Sequence, residues 1–180
     1  KQTISEELFE KLCSSQGISC VRIPETSKKT ADYRLSFDAI TLIAEIKQLD
    51  PNDKDRERAK LCGSAESPGS VAPSNRVKAL IEEGYPQVKN SSEGNHPTMI
   101  VVFNNSGHWN WIDTFTVSKA MFGSFGIILG LQNQSIQVRG QGYLGNRKVT
   151  KNTCRALSVV GVMKQGHEGL LSLHCYHNPF

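Results

Sequence analysis

The sequence predicts an α/β protein, a mixed β-sheet flanked by helices, and three observations carry that expectation. The first hundred residues read as helix, three strands, helix, strand, an order that suits one mixed sheet with a hairpin at its centre. The segment Ile40 to Lys47 holds Ile40, Leu42, Ile43, Ala44 and Ile46, apolar enough for a central strand. The last third turns β-like, with strands expected over Ile136 to Arg139, Ala156 to Val162 and Leu170 to Tyr176. At 180 residues, the chain is read as a single domain spanning 1–180.

Each element has a local cause. Ser5 can cap a helix running to about Ser15, with Leu8, Phe9 and Leu12 as its apolar stripe and Gly17 as its stop. Ile18 to Ile23 reads as a short strand ended by Pro24, and Pro24 to Thr30 as an exposed loop. Asp32 to Phe37 and Ile40 to Lys47 follow as two strands in quick succession. A charged stretch, Asp50 to Lys60, leads into a Gly/Ser/Pro-rich loop from Cys62 to Asn75. Ser74 caps a second amphipathic helix on Val77, Leu80, Ile81 and Val88, with a break expected near Gly84 and Pro86. Thr98 to Phe103 is a buried strand, Thr116 to Met121 a short helix, and Ile127 to Leu131 a short apolar strand or turn. Gly140, Gly142 and Gly145 are expected to punctuate a connection between strands.

Composition narrows the function classes. With 38% hydrophobic and 21% charged residues, disorder, collagen and coiled coil are poor fits. No apolar run approaches the roughly 20 residues of a spanning helix, and the N-terminus lacks the apolar core of a signal peptide. Five cysteines, an odd number without a Cys-x-x-Cys pair, argue for a reducing, cytoplasmic setting. Residues 1–93 are nearly balanced, whereas 94–180 carry seven Lys/Arg against Asp113 and Glu168, a net of +5. That one-sign stretch, including Arg147, Lys148 and Lys151, suits a polyanionic partner such as nucleic acid, a solvated surface being the ordinary alternative.

Glu45-Ile46-Lys47 ends the central strand, and alternation puts Glu45 and Lys47 on one face, about 6.6 Å apart. With 11 Glu and 13 Lys in the chain, such a triplet arises by chance. Asp32 gives it weight. A hairpin closed around Asp38-Ala39 pairs Phe37 with Ile40, and the same register sets Asp32 opposite Glu45. Two opposed carboxylates repel each other in a purely structural hairpin. They make sense around a divalent cation, because Mg²⁺ takes hard oxygen ligands from one or two carboxylates plus substrate phosphate. Lys47 would then contact the attacking water or stabilise charge on the phosphate. Arg22 and Lys29, on segments leading into this site, are candidates for holding a phosphate backbone. Glu6 lies at the rim of the apolar stripe of the first helix, where it can lean toward Asp32 and Glu45, whereas Glu7 and Glu10 face water.

Asp32 followed by Glu45-Ile46-Lys47 resembles the PD-(D/E)XK nuclease superfamily. Glu6, Gly17, Cys20-Val21-Arg22, Asp32 and Glu45-Ile46-Lys47, in that order, are most similar over residues 4–50 to archaeal-type Holliday-junction resolvases. Ala31 stands where the family name has Pro, residues 50–75 are longer than a minimal resolvase needs, and 104–180 has no counterpart. The resemblance implies a restriction-endonuclease-like fold and a Mg²⁺-dependent endonuclease acting on DNA, with Mn²⁺ as a substitute. It further implies the Ile46 carbonyl as a third metal ligand, Glu6 completing the site, and Gln48 orienting water or touching phosphate. Cutting two strands would favour a symmetric homodimer. Two other classes keep the same fold: a nucleic-acid-binding module that does not cut, and a junction- or mismatch-specific recogniser.

Other chemistry-bearing residues fit no site. His174 and Tyr176 share a strand face while Cys175 points away, so no zinc set forms. His96, His108 and His167 lack partner spacing. Trp109 and Trp111 read as half-exposed strand residues that pack rather than stack on bases. Gly123, Gly126 and Gly130 lack the Gly-Lys-Ser/Thr ending of a phosphate loop.

Overall fold

The structure, a computed structural model, describes residues 2–25, 27, 29–62, 70–71, 74–105, 110–132, 135–145, 148–150, 152–166 and 168–180. The first helix, α1 (Ile4–Ser15), starts two residues earlier than a Ser5 cap implies, because Thr3 rather than Ser5 is its N-cap. Thr3 and Glu6 form a capping box: the Thr3 hydroxyl accepts the Glu6 amide, and the Glu6 carboxylate accepts the Thr3 amide. Gly17, at φ +67°, ends the turn that follows. The buried face of α1 holds Ser5, Glu6, Phe9 and Cys13. Its centre is therefore rotated by about 70° from that of the expected Leu8, Phe9 and Leu12 stripe, at 100° per residue. That rotation brings Glu6 from the rim into the buried face.

Strands β1 (Ser19–Arg22), β2 (Tyr33–Phe37) and β3 (Ile40–Leu49) form an antiparallel meander. The β2–β3 register is the expected one, with Phe37 opposite Ile40, Ser36 opposite Thr41 and Tyr33 opposite Ala44. Asp38 takes up the turn at φ +52°, a conformation that Asp tolerates better than most residues. The charged stretch after β3 forms α2 (Asp53–Cys62), a helix whose sequence offers no apolar period to announce it. A two-residue strand, β4 (Ser70–Val71), precedes α3 (Ser74–Ser92). Residues 63–69 and 72–73 of the expected Gly/Ser/Pro loop lie outside the described residues. No break occurs in α3, which runs through Gly84 and Pro86.

The parallel strand β5 (Thr98–Asn104) follows and pairs with β3. A short β6 (Asn110–Trp111) pairs with β4, and α4 (Thr114–Phe122) is capped by Asp113. Next come β7 (Ser124–Gln132) and β8 (Ser135–Leu144), an antiparallel pair that forms a sheet of its own. Gly140 and Gly142 lie inside β8, not in a connection; only Gly145 follows it. Strand β9 (Val159–Gln165) runs parallel to β5, and β10 (Leu171–His177) returns antiparallel at the edge. The main sheet has the order β1-β2-β3-β5-β9-β10. This is an α/β protein with a six-stranded mixed sheet, helices and a small hairpin sheet. Among the described residues no helix is long and apolar enough to cross a membrane.

Strand parity divides the core. Ile43 and Leu49 of β3, with Ile100 and Val102 of β5, pack with Val77, Ile81 and Val88 of α3 and Val117 and Met121 of α4. Leu42, Ala44 and Ile46, with Val101 and Phe103, pack on the other side with Phe9 and Cys13 of α1. Glu45 and Lys47 therefore belong to the α3 face of the sheet.

Candidate active site

Asp32 sits at a bend just before β2, so the ladder itself stops at Tyr33–Ala44. The β3 edge beyond that pair needs an acceptor, and the Asp32 carboxylate supplies it. Its Oδ2 accepts the Ile46 amide at 2.8 Å. Three side chains of α3 hold the approach to Asp32. Ser91 Oγ accepts the Ala31 amide at 2.8 Å, while the amides of Asn90 and Gln87 donate to the carbonyls of Lys29 and Thr30. Asp32 is thus fixed both by the strand it opposes and by the helix packed beside it.

Glu45 is 1% exposed. Its Oε1 lies 2.9 Å from Lys47 Nζ, and its Oε2 is buried without a hydrogen-bond partner. Burial, then the nearby Asp32 charge, push its pKa up to about 7, against the partial relief of Lys47 and of the nearby Asp32 amide. Burial also raises Asp32, opposed by the Ile46 amide and reinforced by the Glu6 charge. Lys47 Nζ bridges Glu45 Oε1 and Glu83 Oε1, each at 2.9 Å. Burial works against its ammonium, but the bonds to Glu83 and Glu45 outweigh it and hold the pKa above the usual lysine value. Lys47 is a cation here at neutral pH.

Close approach of α3 makes this geometry. At Gly84 a Cβ would lie 3.3 Å from both Glu45 Cγ and Ile100 Cδ1, so the missing side chain lets the helix rest on the buried carboxylate. Glu83 and Gly84 escape a reading by motif. An acidic pair ahead of a mid-helix glycine reads as a solvated face with a weak spot, and only the packing reveals both as neighbours of the site.

The other expected residues distribute unevenly. Glu6, 6% exposed, accepts from Arg22 Nη2 at 2.7 Å on the α1 side, and touches Asp32 through its charge rather than by a direct bond. Arg22 also stands 6.0 Å from the centre of the Tyr33 ring. Together with Lys29, Thr30, Asp32 and Gln87 it lines an open cleft of about 280 Å³. Gln48 is not brought to the carboxylates. Alternation turns it to the opposite face from Glu45, and its Nε2 donates to Asp50 Oδ1 at 2.7 Å. Lys148 forms an ion pair with Glu82, next to the Glu83 that holds Lys47. Arg147, Lys151, His108, His167 and Trp109 lie outside the described residues, as does the side chain of Trp111.

Among the described residues no three His, Cys, Asp or Glu side chains are grouped as a ready metal-ligand set. Two carboxylates suffice for Mg²⁺, whose remaining ligands are water and phosphate. The donor set fits such a hard cation: two neighbouring carboxylates, each with its pKa raised, and one buried oxygen with no partner. A cation there would satisfy that oxygen and remove the repulsion between the pair. No family model, curated protein or solved structure matches the chain.

Proposed function

We propose that this chain is a metal-dependent nuclease of the PD-(D/E)XK type, on a restriction-endonuclease-like fold, that hydrolyses phosphodiester bonds in DNA. The observation that carries this reading is Glu45: a fully buried carboxylate beside a second carboxylate, with one oxygen on Lys47 and the other unpartnered. A structural ion pair explains the first oxygen and leaves the second costly. The order α1, β1–β3, α3, β5, with β3 and β5 parallel, supports the same reading.

Asp32 and Glu45 would hold Mg²⁺ or Mn²⁺, with the Ile46 carbonyl as the third protein ligand that the resemblance implies. When bound, the ion would supply Lewis-acid polarisation of a phosphate oxygen and a lowered pKa for water. The chain's own residues do the rest. Lys47, kept protonated by Glu45 and Glu83, donates hydrogen bonds to the attacking water or to a phosphate oxygen as its charge grows. A protonated lysine is not the general base, so the proton released by water passes to solvent or substrate. Arg22 and Lys29, on the cleft beside Asp32, suit backbone phosphates on the approach. Glu6 fixes Arg22 and biases Asp32. Gln48 gives its amide nitrogen to Asp50, while its Oε1 is buried without a partner.

Purified protein incubated with Mg²⁺ or Mn²⁺ and linear, circular and branched DNA tests the reading. Cleavage that needs the metal and is lost in Lys47→Ala supports it. Binding without cleavage of any substrate favours the non-cutting module instead.

A further inference from the structure

The β7–β8 hairpin exposes an apolar face that the proposed chemistry does not use. In its register Phe125 pairs with Tyr143, Leu129 with Val138 and Leu131 with Ile136, and directly paired residues share a face. One extra residue in β8, between the Ile128–Gly140 and Leu129–Val138 pairs, preserves that sorting across the irregularity. Phe125, Ile127, Leu129, Leu131, Ile136 and Val138 therefore line one side, and each is at least 56% exposed. The opposite side carries Gly126, Gly130, Gly140 and Gly142, with only Ile128 and Leu144 as large apolar side chains among them. Arg139 leans over that glycine side, since a Cβ at Gly130 would collide with its side chain. Tyr143 anchors the root by packing against Phe122, which in turn meets Phe180.

We propose that this face docks against the same face of a second copy of the chain, related by a two-fold axis. Three observations select that occupant. At roughly 100 Å² of apolar surface per side chain, the six supply about 600 Å² per copy. Face-to-face pairing hides about 1,200 Å² in all, the threshold of a specific interface. Charge points the same way. β7 has no charged residue and β8 only Arg139, on the other face, so nothing repels an identical copy and nothing attracts a phosphate backbone. The polar ends of the strands, Gln132 and Ser135, argue against insertion into lipid tip first. A two-stranded hairpin is marginal by itself, whereas two stacked hairpins, about 10 Å apart, enclose a core between four strands. The inference is independent of the nuclease reading.

Sedimentation velocity of the full chain over a dilution series tests it. The expected result is a monomer–dimer equilibrium with a dissociation constant of about micromolar, as befits an interface at the small end. Ile127→Lys and Ile136→Lys should each weaken the dimer at least tenfold, and Gln137→Lys, on the glycine side, should leave it unchanged. Circular dichroism of the dilute variants verifies folding, which these exposed positions should not disturb. A wild type that stays monomeric overturns the proposal. If that monomer sediments with phosphatidylcholine vesicles, the occupant is a lipid surface. A dimer indifferent to both lysines places the interface elsewhere and also overturns it.

Discussion

Glu45 carries a charge where burial resists it, and the cost has a pH signature. An acid whose folded pKa is about 7, against 4.5 as the ordinary value, is neutral in both states at low pH. Stability then falls as pH rises through the window from about 4.5 to 7, by on the order of 3 kcal/mol at most. Glu45→Gln removes that charge and leaves Lys47 its bond to Glu83. The metal-free variant should therefore melt roughly 4–8 °C above wild type at pH 8, for a gain of about 2 kcal/mol. At about pH 4, below both pKa values, the difference should nearly disappear; thermal melts at both pH values check this, and an equal shift at both would contradict it. Glu6 makes a second residue-scale test. The helical wheel marks it as distinct from Glu7, but the capping box and the Arg22 bond were hidden until Thr3 emerged as the cap. Glu6→Ala should cost about 1–2 kcal/mol. Glu7→Ala, on the exposed face, should stay within about 0.5 kcal/mol by calorimetry. At this scale the sequence reveals the pair Asp32 and Glu45, because a tight turn fixes register by counting. It conceals Glu83, because nothing local distinguishes a helix glutamate that meets Lys47 from one that meets water.

The element that organises the site is α3. It pins the segment before Asp32 through Gln87, Asn90 and Ser91, holds Lys47 through Glu83, and rests on Glu45 at Gly84. Gly84→Ala sets two effects against each other. Helix propensity favours alanine by about 1 kcal/mol. Against it, the new methyl meets Glu45 and Ile100, both fully buried, and overpacking costs about 1–3 kcal/mol. Neither neighbour is a free chain end, so a net loss of about 1 kcal/mol is expected from urea unfolding, and a gain would show that α3 can shift. Local pattern misjudges this element. Gly84 and Pro86 read as a break because their propensities do, yet Val77, Ile81 and Val88 bury a continuous stripe that outweighs them. The opposite failure occurs at α2, whose charged sequence has no apolar period to detect.

Across the whole molecule, the six-stranded sheet places Glu45 midway along the central strand β3 and Asp32 just before β2, with the Arg22/Lys29 cleft beside Asp32. The sheet was legible because β3, β5 and β9 are near-continuous apolar runs, as strands covered on both faces must be. The β7–β8 sheet was only partly legible: its glycines look like punctuation, whereas they form one side of a long hairpin. If DNA follows the cleft, Arg22→Ala and Lys29→Ala should each lower the salt dependence of binding by about one in slope. Fluorescence anisotropy across a salt series measures that, and unchanged slopes would remove both residues from the DNA path. Lys148→Ala should lower it less, since Glu82 competes for that ammonium. The claim on which the rest depends is the cation between Asp32 and Glu45. Calorimetric titration with Mn²⁺ at pH 8 tests it most directly, using wild type and Asp32→Asn, which keeps an oxygen to accept the Ile46 amide. One Mn²⁺ per chain, bound at least tenfold more weakly by Asp32→Asn at unchanged melting temperature, is the predicted result; equal affinity in the two proteins would contradict the account.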